Sequence, residues 1–94
     1  MSASVGANEL TVSMAFRYRR EVLLQLSNHG VQPRPDTSPE LVHEFLNDLY
    51  RYELRALRDR LLRREFPKAS YYKRVVELRR KYPLLSLKTQ QWLE

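Results

Sequence analysis

Between Thr37 and Phe66 the chain carries apolar residues at helical spacing, with no Gly or Pro after Pro39. The stretch opens Thr37-Ser38-Pro39-Glu40. A hydroxyl residue there can accept from the unbonded N–H groups of a first helical turn, and Pro suits the first helical position. With Thr37 as the cap, Glu40 stands three residues later and completes a capping box; Ser38 is the other candidate cap. The stretch stops at Phe66-Pro67. The pattern predicts a helix over 39–65, roughly 40 Å long at 1.5 Å per residue.

At about 100° per residue, the apolar arc of that helix holds Leu41, Tyr52, Phe45, Ala56, Leu49, Val42, Leu46, Leu57, Tyr50, Leu61 and Leu54. It spans more than half the circumference, so the helix should contact two neighbours, or one neighbour and a partner chain. Glu44, Asp48, Arg51, Arg55 and Arg58 occupy the other face, where Asp48–Arg51 and Arg55–Asp59–Arg63 stand at pairing distance. Glu53 falls inside the arc beside Leu46, Leu49 and Leu57. A carboxylate there needs a cation or a proton, and Arg17, Arg19, Arg20, Arg74 and Arg79 are the candidate cations. Arg60 also falls inside the arc.

Earlier in the chain two periods compete. Leu10, Val12, Met14, Phe16 and Tyr18 alternate as a strand would, whereas Leu10, Met14, Tyr18, Val22 and Leu26 form a helical stripe. Continuation through Arg20–Leu26 and the stop at Asn28-His29-Gly30 favour a helix over 10–29. Pro33 and Pro35 make the next segment an extended connector, short enough to lay the two helices antiparallel. Beyond Pro67, Ser70 is a candidate cap for a third helix over 70–82. Tyr71, Val75, Leu78 and Tyr82 share one face of it, and Pro83 closes it. The tail from Leu84 to Leu93 is apolar, with Ser86 able to cap a last turn and Trp92 expected to dock. The reading is all-α: an antiparallel helical hairpin, a third helix and an apolar C-terminal tail folded back. Residues 1–8 are expected to be a flexible N-terminus, and 9–94 a single helical domain.

Length and charge narrow the function. Ninety-four residues bury a modest core. There is no cysteine, so no disulfide, thiolate zinc site or Cys nucleophile. The net charge is +6, and the surplus is local: Arg51–Lys81 carries twelve Lys/Arg against four Asp/Glu. Such a region suits nucleic acid, an anionic membrane or an acidic protein, and equally suits the helix dipole, since Glu40, Glu44 and Asp48 come early in the long helix and its arginines late. No apolar run approaches the roughly 20 residues of a membrane span. The N-terminus does not read as a secretory signal. A soluble cytoplasmic protein is the expectation.

The search for chemistry returns little. His29 and His43 are not at metal spacing with each other, and two glycines cannot build a phosphate-cradling loop. No Gly-x-Ser-x-Gly elbow is present. No enzyme activity, cofactor or metal is expected. The tripeptide Leu49-Tyr50-Arg51 resembles that of the LYR-motif proteins, small basic helical proteins that serve mitochondrial assembly. In that family it lies near the start of the first helix; here it is central in a later one, so no residue role is carried over. Two functions follow as expectations. One is a helical interaction or assembly module that binds a protein partner or a second copy of itself through Leu54, Leu57, Leu61 or Trp92. The other is a nucleic-acid binder using Arg58, Arg63, Arg64, Lys68, Lys73, Arg74, Arg79, Arg80 and Lys81, with Tyr71, Tyr72 and Tyr82 interleaved among the cations.

Overall fold

The computed structural model describes residues 15–94. Among them are three α-helices: α1 (Arg20–Ser27), α2 (Pro39–Leu62) and α3 (Tyr71–Arg80). Three 3-10 turns (Lys68–Ser70, Pro83–Ser86 and Thr89–Trp92) join or follow them, and the one β feature among the described residues is an isolated antiparallel bridge between Tyr18 and Leu93. The chain is all-α, as the apolar spacing predicts. The expected flexible start and the 10–14 part of the first helix lie outside the described residues. The described chain forms two compact units: residues 15–42 with Lys88–Glu94, and His43–Leu87.

In the first unit the first helix is shorter than its stripe predicts. It starts at Arg20 because the backbone before it is already in use. The Arg19 N–H donates to the Trp92 carbonyl at 2.8 Å, and the Glu94 N–H donates to the Arg17 carbonyl at 2.8 Å. Phe16 and Tyr18 therefore follow the alternating period of extended chain, and among the described residues the helical stripe applies from Val22. The Tyr18 hydroxyl donates to the Thr37 carbonyl at 2.6 Å. Burial, with Glu40 second, pushes that phenol up to about 12. Trp92 and Leu26 are fully buried, with Val22, Pro39 and Val42 nearly so. The apolar tail thus contributes the largest buried side chain of this unit. Its last turn begins at Thr89 rather than after Ser86, and the Gln91 side chain accepts from the Lys88 N–H at 2.8 Å.

Two hydroxyls settle the start of α2. The Ser38 Oγ accepts from the Leu41 N–H at 3.2 Å, the bond of an N-cap to the third helical residue. Thr37 instead accepts from the Arg34 N–H at 3.0 Å. Glu40 is therefore the second helical residue, and the expected capping box does not form.

In the second unit α2 ends at Leu62, three residues before the expected 65. Arg64 takes a left-handed conformation, φ 60°. Its N–H bonds the Leu61 carbonyl, and the Glu65 N–H bonds that of Arg60. These are the paired bonds of a Schellman ending. Arg60 and Arg63 both donate through Nε to Glu65, at 3.2 and 2.7 Å. The Arg63 bond holds that carboxyl below its ordinary range, with Arg60 adding to it. Arg63 is thus drawn to Glu65, and no ion pair joins it to Asp59, or Asp48 to Arg51, among the described residues. α3 runs over Tyr71–Arg80 after its 3-10 turn, and Ser70 does not cap it through its side chain. Ser70 donates to the Pro67 carbonyl at 2.9 Å and accepts from Arg74 Nε at 3.3 Å. Leu46, Leu57, Phe66, Leu78, Tyr82 and Leu84 are the buried side chains of this unit.

Candidate interaction groove

The wide arc of α2 is covered on one edge and open on the other. Val42, Leu46 and Leu57 at its centre are buried. Leu49, Tyr50, Leu54 and Leu61 are half-buried. Leu41, Phe45, Tyr52 and Ala56, which fall within about 60° of one another, are exposed. Phe45 and Tyr52 are 53% and 68% accessible, well beyond what a packed aromatic shows.

Within the second unit this open edge borders a groove of about 370 Å³. One wall is Tyr52, Glu53, Ala56, Leu57 and Arg60 of α2; the other is Arg74, Glu77 and Leu78 of α3 with Lys81 just after it. The spacing explains the pairing of walls. Residues 53, 56, 57 and 60 recur at three and four along α2, and 74, 77, 78 and 81 do the same along α3, so each set shares a helix face. Leu57 and Leu78 are buried and supply the apolar base.

Three further features belong to this unit. The Tyr82 hydroxyl donates a hydrogen bond to Glu53 Oε2. Burial, with the Glu53 hydrogen bond second, pushes the Tyr82 phenol well above its ordinary value. Glu53 therefore takes a phenol as its partner, and none of the expected arginines. Sequence spacing counted Tyr82 as core; its ring is indeed buried, but its hydroxyl is the group that satisfies the carboxylate. The second feature is Phe66, which lies under two guanidiniums. The Arg74 Cζ is 4.2 Å and the Arg60 Cζ 5.5 Å from its ring centroid, within cation–π reach. Arg60, which the wheel placed inside the arc, leaves the core by lying over this ring. The third is a second cleft of about 320 Å³, lined by Asn47, Tyr50, Arg79, Tyr82, Leu85 and Ser86. There the Tyr82 ring meets Tyr50 edge-on, with centroids 5.4 Å apart and an angle of 67°.

The residues singled out from sequence disperse. Leu57 and Trp92 are buried and Leu54 and Leu61 half-buried, so the open apolar edge lies across the arc from Leu54. Of the candidate nucleic-acid contacts, Arg58, Arg64, Lys68, Lys73, Arg79, Arg80 and Lys81 are exposed, Arg63 is bound to Glu65, and Arg74 is half-buried on Phe66. On α3, Lys73 and Arg80 share one face, Arg74 shares another with Lys81, and Arg79 sits on a third. These cations spread over about 220° of the helix rather than along one track. Of the LYR tripeptide, Leu49 and Tyr50 are half-buried and only Arg51 is exposed. Among the described residues no group of three or more His, Cys, Asp or Glu stands together to hold a metal, and no helix is long and apolar enough to cross a membrane. Comparison with protein-family models, curated proteins and solved structures finds no match to this chain.

Proposed function

We propose that this protein is a non-enzymatic interaction module that receives an amphipathic helix of a partner protein in the groove between α2 and α3. The observation that carries this reading is the open edge of α2. Phe45 and Tyr52 stand two turns apart on one face, more than half exposed, and Tyr52 and Ala56 form the lip of a groove with Leu57 and Leu78 at its base. Aromatic side chains beside an apolar cleft are the usual anchors of helix-in-groove recognition, where the ligand presents residues at i, i+3, i+4 and i+7. The walls of the groove are helices, which hold their side chains in register.

The test is a groove-blocking substitution. Ala56 is exposed, so Ala56→Trp fills the lip without disturbing the core. Tagged full-length protein and the Ala56→Trp variant are recovered from cells and their bound proteins quantified by mass spectrometry. Proteins retained by the native chain and lost from the variant support the reading. Identical protein sets refute it. Co-purifying nucleic acid released between about 50 and 200 mM salt, with no protein lost, supports the basic surface as the binding element instead.

A further inference from the structure

We infer that the partner segment is acidic, and that its carboxylates are read by a pair of arginines, Arg60 and Arg74, which Phe66 holds ready at one end of the groove. The inference rests on the groove being a protein-docking site. The two guanidiniums come from different elements, α2 and α3, yet both line the groove and both lie over the same aromatic ring. Each is fixed a second time through its Nε–H: Arg60 to Glu65 and Arg74 to the Ser70 hydroxyl. No other hydrogen bond or ion pair engages either guanidinium among the described residues. The Nη–H donors of both are therefore left for an acceptor that the described residues do not supply. A guanidinium anchored by its Nε edge and stacked on a ring has little left to order when it binds a carboxylate through that terminal fork.

Charge in and around the groove points the same way. Lys81 lies on the α3 wall one turn beyond Leu78, and Arg74, Leu78 and Lys81 share that face. Two acids also line the groove. Glu53 is engaged by the Tyr82 hydroxyl, and Glu77 forms no ion pair with Arg60 or Arg74. The cations of the lining are Arg60, Arg74 and Lys81. A basic helix would offer the two Nη forks no acceptor. An amphipathic helix with Leu or Phe on one edge and Asp or Glu on the next would set its apolar side on Leu57, Leu78 and Tyr52 and its carboxylates on the two forks.

A random 16-residue peptide library displayed on phage and selected on the full-length protein tests this directly. Counter-selection on Ala56→Trp identifies the peptides that occupy the groove. The expected result is that groove-dependent clones are enriched in Asp and Glu beside apolar anchors. Their synthetic peptides should bind Arg60→Gln and Arg74→Gln about tenfold more weakly each, with Arg74→Lys intermediate because it keeps the charge and loses the fork. Circular dichroism melts of the variants separate lost binding from lost folding. A variant that unfolds is replaced by the native protein titrated with Asp→Asn and Glu→Gln versions of the same peptides, for which a similar weakening is expected. Groove-dependent clones without acidic enrichment, or with binding indifferent to both substitutions, overturn the arginine reading and leave the groove as a docking site. A selection that returns no clone sensitive to Ala56→Trp overturns both.

Discussion

Gly30 and Arg64 occupy the same position in the same helix-ending motif. At Gly30, φ is 73°, and the Val31 N–H bonds the Leu26 carbonyl while the Gly30 N–H bonds that of Ser27. At Arg64 the same two bonds recur, Arg64 N–H to the Leu61 carbonyl and Glu65 N–H to that of Arg60, but a side chain now sits in the left-handed region, which costs a non-glycine residue about 1 kcal/mol. The space around Gly30 is open, so Gly30→Ala should lose stability from backbone strain alone. Arg64→Gly should raise stability by about 0.5–1 kcal/mol, seen as a thermal midpoint several degrees higher. A lower midpoint would contradict the reading of Arg64 as a strained cap. Gly30 was legible as a stop from the sequence; Arg64 was not, because nothing in an Arg-Arg pair announces a positive φ. Tyr82 carries the second prediction. Its hydroxyl satisfies Glu53, so Tyr82→Phe should cost about 1–3 kcal/mol in chemical denaturation. The folded state holds the Tyr18 and Tyr82 protons more tightly than the unfolded chain does, where a phenol titrates near 10. Their contribution is therefore complete below about pH 10 and is lost as pH rises through and beyond 12. The thermal midpoint should fall along that alkaline range, less steeply in Tyr18→Phe and Tyr82→Phe. An equally steep fall in both variants would contradict it.

At the scale of elements, α2 was readable in type and start, and its width of apolar arc was readable too. Which edge stayed open was not. The arc from Leu41 through Leu49 to Leu54 is nearly continuous, and helix period alone gives no preference between its two sides. The covering comes from residues far along the chain, among them Phe66, Leu78 and Tyr82, whose positions depend on how the turn at Arg64 sends the chain back. The first helix fails for a related reason: Arg17–Arg19 bond the tail from the far end of the sequence, which no local pattern contains. The start of α2 yields a sharper test. Ser38, not Thr37, caps it, so Ser38→Ala should cost about 1 kcal/mol. Glu40→Gln should cost little, since no capping box depends on it. The reverse order in urea denaturation would contradict the assignment.

Over the whole molecule, stability and the proposed docking draw on different apolar residues. Trp92, fully buried, belongs to stability. Trp92→Ala should cost about 3–5 kcal/mol, as large as the entire stability of many chains this short, and far-ultraviolet circular dichroism should show much of the helix lost. Phe45 and Tyr52, exposed, should be replaceable by Ser with little change in melting. The charge surplus over Arg51–Lys81 was evident in the sequence, but its division between internal anchoring and open donors needed the positions of Phe66, Glu65 and Ser70. The most direct measurement places a photo-crosslinking amino acid at Ala56, on the groove lip, and separately at Arg51, on the exposed polar face of α2, in cells. The account predicts a discrete protein adduct from position 56 that is absent from position 51. Equal adducts from both positions, or none from 56, would contradict it.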